Sequence, residues 1–298
     1  MSRQVLPSGE QWTIRAGEYL GTVVSVGGGL RGLSYGGREV LVGYGEDEPA
    51  HAGIGQHLFP WPNRITDGKY TFRGVDQQLY LTEPARLNAI HGLTRWANWE
   101  RVDDGTDESV VHLAHHLHGQ PGYPHQLDLS LEYHLDAESG LTVTARAVNV
   151  GADDAPYGYG VHPYLSVGRK IDECELEFTA AEWLEVTPDR LSPVGLAPVG
   201  GSQYDFSQAK KLQDLDIDNA FTGLPESWEV RLTDPDTGNT ARLRSDTRWM
   251  QLYTGNAIGR VGLAVEPMTC PPDAFKTGDD LVVLKPGDEH TTSFDVSV

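Results

Sequence analysis

Two cysteines in 298 residues, Cys174 and Cys270, are too few for a disulfide framework and lack CxxC spacing. Their scarcity excludes a stapled secreted scaffold, argues against a cysteine-built zinc site and suits a reducing cytoplasm. Basic residues are also in deficit, with 23 Lys and Arg against 43 Asp and Glu and a formal net charge of -20. The acidic groups are scattered through turns such as Gly45 to Glu48 and Val102 to Gly105 rather than gathered in a tail. This balance argues against nucleic acid or anionic membranes as partners and mainly favours solubility. No stretch approaches the roughly 20 apolar residues that span a bilayer. Met1 to Pro7 lacks the apolar core of a signal peptide, so a soluble, cytoplasmic protein is expected.

Long amphipathic helices are missing too, and period-two alternation takes their place. In Leu127 to Leu135 the residues Leu127, Leu129, Leu131, Tyr133 and Leu135 share one face, opposite Asp128, Ser130, Glu132 and His134, the pattern of a half-buried strand. Leu141 to Val148 continues it after a polar connection ending in Gly140, which predicts an antiparallel hairpin. Short strands are expected around Gly21 to Val26, Glu39 to Val42, Tyr70 to Phe72, Glu175 to Phe178, Trp228 to Leu232, Met250 to Tyr253 and Thr292 to Val296. With 34 Gly and 18 Pro as punctuation, and no linker, repeat or low-complexity tract, the chain is expected to be all-β. It reads as a large antiparallel β-sandwich forming a single domain over 1–298.

Three sequence features invite a chemical reading. Gly27 to Gly32 lacks the lysine of a phosphate loop and precedes a strand, so a hairpin turn is expected. His112, His116 and His118 fall on one strand face opposite Val111, Leu113 and Leu117, which reads as a solvated face rather than a metal site. Glu266 is the one ionisable group in the apolar run Val261 to Met268. Desolvating an unpaired carboxylate costs several kcal/mol, so Glu266 must reach an edge, a partner or a chemical task. His162, between glycines and Pro163, and His91, before Gly92, are each either turn residues or ligand contacts.

Several blocks then align in order: Asn63-Arg64-Ile65 with Gly68 to Tyr70, Asn88 to Gly92, Gly122 to Pro124, His162 to Tyr164, Asp218 to Phe221, Tyr253 to Asn256, and Glu266 with Pro272 to Ala274. In these blocks the chain resembles the aldose 1-epimerases, the galactose mutarotase-like family. The resemblance implies a β-supersandwich with an open sugar cleft, His162 as general acid and Glu266 as general base. It also implies sugar-binding roles for Asn63, Arg64, His91 and Asp218. His162 is followed by Pro-Tyr-Leu rather than Ser-Tyr-Phe, and Glu266 by Pro-Met-Thr-Cys rather than Thr-Gln. These flanks resemble a bacterial branch with a sulfosugar member and leave the preferred sugar open.

Mutarotation removes the proton of the C1 hydroxyl while protonating the ring oxygen, so one base and one acid suffice, with neither metal nor organic cofactor. A carboxylate beside an imidazole is expected to favour the imidazolium, and the cation to keep the glutamate ionised. Arg64, Arg86 and Arg95 bracket the His91 block and raise the reading of a phospho- or sulfo-sugar, against the usual solvation of loop arginines. Trp61 and Trp249 are expected in the core, with a sugar-stacking face as the alternative. Two rivals are a glycoside hydrolase using Asp218 and Glu266, and a sugar-binding or sensor protein without turnover. Oligomeric state leaves no mark on the sequence.

Overall fold

The clearest alternation in the sequence becomes the clearest strand. The computed structural model describes residues 5–298, and in it Leu127–Asp136 buries every second residue and pairs antiparallel with Gly140–Asn149. Gly140 closes that hairpin at φ 89°, where an added Cβ would lie 2.4 Å from the Val296 carbonyl oxygen; glycine alone fits there. The N-terminal residues read above as lacking a signal-peptide core lie in part, at 1–4, outside the described residues.

The two hairpin strands sit in a nine-stranded sheet running Glu100–Arg101, Val110–Leu117, Leu127–Asp136, Gly140–Asn149, Glu289–Ser297, Thr240–Ser245, Trp228–Thr233, Glu175–Glu177 and Lys210–Lys211. A twelve-stranded sheet faces it. Its path runs from Gln11–Ala16 through Tyr19–Val24, Leu30–Tyr35 and Arg38–Leu41 to Tyr164–Leu165, Leu263–Met268, Trp249–Tyr253, Asp218–Thr222, Glu182–Val186 and Pro193–Pro198, with Gly160–Val161 and His57–Leu58 branching off. Among the described residues the strand pairings are antiparallel, and the one α-helix, Ala274–Thr277, follows the last strand of the site region. Among the described residues no helix is long and apolar enough to cross a membrane.

The inward faces of both sheets meet in one continuous core reaching from Ile14 to Val296, where each fully buried Leu, Val or Phe contributes about 1.5–3 kcal/mol. Trp61 belongs to it, packed edge-on against Phe275. Trp249 is buried in a smaller cluster and donates its indole N–H to Asp280 at 2.8 Å. Both therefore serve packing, as expected. The turn at Gly27–Gly28 joins Tyr19–Val24 to Leu30–Tyr35, as its glycines predict. His112 and His116 point away from buried Val111, Leu113 and Leu117 towards the cross-strand acids Glu132 and Asp128.

The middle of the larger sheet departs from simple alternation. Leu263–Met268 is buried at every position. Leu263 and Val265 face the inter-sheet core, whereas Ala264 and Met268 belong to separate apolar clusters. Glu266 has their parity, so its carboxyl stands on the outer face of the sheet. Gln251 is its cross-strand partner, and Asp218 lies one strand further on, opposite Tyr253.

Candidate active site

A cavity of about 670 Å³ lies over that outer face, and Asn63, Arg64, His91, His162, Asp218 and Glu266 all line it. Residues separated by two hundred positions thus converge on one volume.

Glu266 and Asp218 come from the sheet, and Gln251 on the strand between them donates to Asp218 Oδ1 at 2.7 Å. His162 comes from a break in strand order between Gly160–Val161 and Tyr164–Leu165. Pro163 lacks an N–H for the ladder, yet the His162 backbone stays tied: its N–H donates to Gln56, and its carbonyl accepts from Gly55. Gly53, at φ 78°, crosses the imidazole so closely that a Cβ would lie 2.9 Å from His162 Cδ2.

Asn63, Arg64 and His91 come from a two-stranded ribbon, Arg64–Thr66 with Asn88–Ile90. Asn63 and His91 close its end at φ 49° and 62°, joined by a 2.8 Å bond from the His91 N–H to the Asn63 carbonyl. Asn and His are among the few residues that tolerate this left-handed region. At Gly92 a Cβ would fall 2.0 Å from the Phe59 carbonyl oxygen, which accounts for a glycine after His91. Asp273 locks the ribbon from below, accepting from the Thr66 N–H at 2.6 Å and the Thr66 hydroxyl at 2.5 Å.

The central contact is between His162 Nε2 and Glu266 Oε1, 3.2 Å apart, with only 7% and 2% of the side chains exposed. The imidazole of His91 stands edge-on to His162 at 5.5 Å. His162 Nδ1, His91 Nδ1 and Glu266 Oε2 are buried without a protein partner. Unmade hydrogen bonds of this kind are costly and mark places where a polar ligand fits.

The expectation that the pair would hold itself ionised is corrected by the burial. Desolvation, with help from Arg95 and Arg64, lowers His162 to about 3. Desolvation and the Asp218 charge push the Glu266 carboxyl well above its ordinary value, against the pull of Arg64 and Arg95. Burial thus works against the charged form of each group, the imidazolium of His162 and the carboxylate of Glu266. Burial outweighs mutual attraction because both charges leave water together. His91 is likewise held neutral, first by burial and then by Arg95.

The arginines also depart from the solvated-loop reading, since Arg64, Arg86 and Arg95 all line the cavity. Arg64 is forked onto Glu83, with Nε to Oε2 at 3.0 Å and Nη2 to Oε1 at 3.1 Å, and reaches Asp218 at 3.9 Å. Glu83 also accepts from Asn88 and Arg86. Burial alone raises its carboxyl, but Arg64, Asn88 and Arg86 outweigh that and hold it below its ordinary value. Arg95 donates to Gln56 at 2.8 Å and has no carboxylate at ion-pair distance among the described residues. Sequence reasoning missed Glu83, Gln251 and Gly53, whose roles rest on neighbours distant in the chain and leave no local pattern.

The family model described as aldose 1-epimerase matches residues 10–297. The uncharacterized protein YihR of Escherichia coli is 37% identical over 290 residues, covering 97% of this chain and 93% of that one. The aldose 1-epimerase of Escherichia coli is 25% identical, covering 86% of this chain and 83% of the relative. Among solved structures, the GalM/aldose epimerase homologue of C. elegans superposes with a TM-score of 0.85 at 20% identity, covering 97% of this chain and 98% of that one.

Proposed function

Because the chain belongs to the aldose 1-epimerase family, we propose that it interconverts the α and β anomers of a free aldohexose, with His162 and Glu266 moving the protons. The observation that carries this reading is the buried 3.2 Å contact of His162 with Glu266 at the floor of a polar cavity. A positioned acid and base can pass protons to a sugar there without losing them to water.

Ring opening starts from the charged form, with the proton on His162 and Glu266 ionised, which burial disfavours and which proton transfer from Glu266 across the 3.2 Å contact supplies. Glu266 takes the proton of the C1 hydroxyl, His162 gives its proton to O5, the C1–O5 bond breaks and C1 becomes the aldehyde carbon. After rotation about C1–C2, Glu266 returns a proton to the aldehyde oxygen as O5 attacks the other face and His162 recovers its proton. The pair thus passes from a charged to a neutral form when the ring opens. Burial favours that neutral form, so it assists the opening step and opposes the proton shift that precedes it. Sugar hydroxyls supply the partners that Glu266 Oε2 and His162 Nδ1 lack. Arg64, His91, Asp218 and Asn63 hold the remaining hydroxyls.

A second reading, a phosphorylated or sulfonated hexose, is favoured by Arg95, a cavity arginine without a carboxylate partner, and by Arg86, whose side chain is 40% exposed. Guanidinium forks suit such anions. Anomer exchange measured by polarimetry and NMR exchange spectroscopy on glucose, galactose, glucose 6-phosphate and sulfoquinovose separates the two. His162→Asn is expected to slow the best substrate at least a hundredfold, the usual weight of a positioned acid. Sugar binding with no faster exchange in the native protein would replace this reading with a non-catalytic sugar-binding role.

A further inference from the structure

We propose that His91, His162 and Glu266 also form a divalent-cation site that takes Zn2+ from the cavity and excludes the sugar while the ion is bound. Each residue offers one donor atom, and the three atoms lie within 4.8 Å of one another. Tetrahedral zinc, with bonds of about 2.0–2.2 Å, spaces its donors roughly 3.4 Å apart. His162 Nε2 and Glu266 Oε1 already stand at 3.2 Å, so only the His91 ring has to close, by roughly 1 Å, to complete three ligands.

The donors are ready for an ion in two further respects. All three side chains are more than nine-tenths buried, at 8%, 6% and 2% exposed for His91, His162 and Glu266, and His91 Nδ1 has no protein partner. Their backbones are also fixed: His91 is bound to Asn63, and His162 is bound to Gln56 and Gly55. Two imidazoles and a carboxylate suit zinc, whereas Mg2+ and Ca2+ call for more oxygen donors. All three residues line the cavity, from which a fourth ligand such as water would come.

The surrounding charges decide what kind of site this is. Arg64 is met by Glu83 and Asp218, but Arg95 has no such counter-charge and opposes a dication. Binding is therefore reversible and inhibitory rather than that of a resident cofactor. A bound ion occupies the lone pairs of both the proposed acid and the proposed base, so turnover stops. The site itself rests on geometry alone; its effect on turnover rests on the function proposed above.

The experiment is a Co2+ and Zn2+ titration of the full chain, without sugar and then during turnover. Co2+ should develop the visible absorption of a tetrahedral site with one ion per chain. Zn2+ at ten times its dissociation constant should raise the apparent KM about elevenfold at unchanged kcat, from mass action between exclusive ligands, and EDTA should restore it. His91→Asn, which keeps a residue tolerant of the left-handed backbone, should fold normally by circular dichroism and lose the Co2+ spectrum. The double variant His116→Asn, His118→Asn removes the surface imidazoles, whose rings lie 4.3 Å apart, and should keep it. A Co2+ spectrum that survives His91→Asn, or that vanishes with the surface histidines, overturns the proposal. So does Zn2+ inhibition that leaves KM unchanged. Because the spectrum is read without sugar, the ion site can stand even if anomer exchange fails, and can fall while exchange succeeds.

Discussion

Glu266→Gln should make the protein slower and more stable at once, and the two effects have separate magnitudes. Glutamine keeps the shape of the side chain, which is only 2% exposed, but neither takes nor gives a proton. Loss of a positioned base lowers kcat by about 10²–10⁴, or roughly 3–5 kcal/mol of barrier. The stability effect follows from the raised carboxyl. A carboxyl whose folded pKa lies above its unfolded value stabilises fully below the unfolded value, and that contribution is lost as pH rises towards the folded one. In the native chain the loss runs against the opposite contribution of His162, lowered to about 3, so above about pH 4.5 the two offset each other. In the Glu266→Gln variant only the histidine contribution remains, and stability rises towards about pH 6.5 and then levels. The gap in favour of the variant should widen as pH rises above about 4.5, the ordinary carboxyl value, at up to about 1.4 kcal/mol per pH unit. Urea unfolding followed by tryptophan fluorescence at several pH values measures the gap, and polarimetry on freshly dissolved α-glucose measures the rate. Near-normal turnover would refute the base assignment, and a gap that stays constant or shrinks with pH would refute a protonated buried carboxyl.

Three further outcomes test other parts of the argument. Because burial lowers His162 to about 3 and raises Glu266, kcat/KM should hold level on acidification through the ordinary carboxyl value near 4.5; a fall centred there would mean that Glu266 titrates as an exposed group. Glu83→Gln should loosen the Arg64 fork and raise KM by roughly tenfold or more, the weight of a charge-assisted hydrogen bond, with kcat changed less; a loss confined to kcat would contradict a sugar-positioning role for Arg64. His57 is fully buried between Tyr159 and Tyr133, and burial lowers it to about 3. The unfolded chain protonates this residue below about 6.5 and the folded one does not, so it should cost about 1.4 kcal/mol of stability per pH unit on acidification from 6.5 towards 3. His57→Gln should flatten that slope, and an unchanged slope would count against the assignment.

The strands were legible because alternation is a local property. Leu127–Asp136 announces its buried face residue by residue, and Trp228–Thr233 and Glu289–Ser297 do the same. The site residues were nameable from the order of short blocks, but not from their own surroundings in sequence. From their own surroundings His162 read as a turn residue and Glu266 as an edge or hydrogen-bonded one; the ordered blocks singled them out, and the fold sets them 3.2 Å apart. Glu83 was invisible because its part in the cavity is to hold Arg64, 19 positions away along the chain. The ionisation of the pair was misjudged for a related reason, since a sequence can pair two charges but cannot say how much water they lose together.

By itself, then, the sequence determined an antiparallel β architecture and the identities of the acid and base candidates, because periodicity and motif order are written along the chain. The tertiary structure alone decided that Arg64, Arg86 and Arg95 share one cavity with His91, His162, Asp218 and Glu266, and that burial works against charge on the central pair. Proximity and desolvation depend on what packs around a group, and in this fold those neighbours come from the ribbon, the strand break and the outer face of the larger sheet.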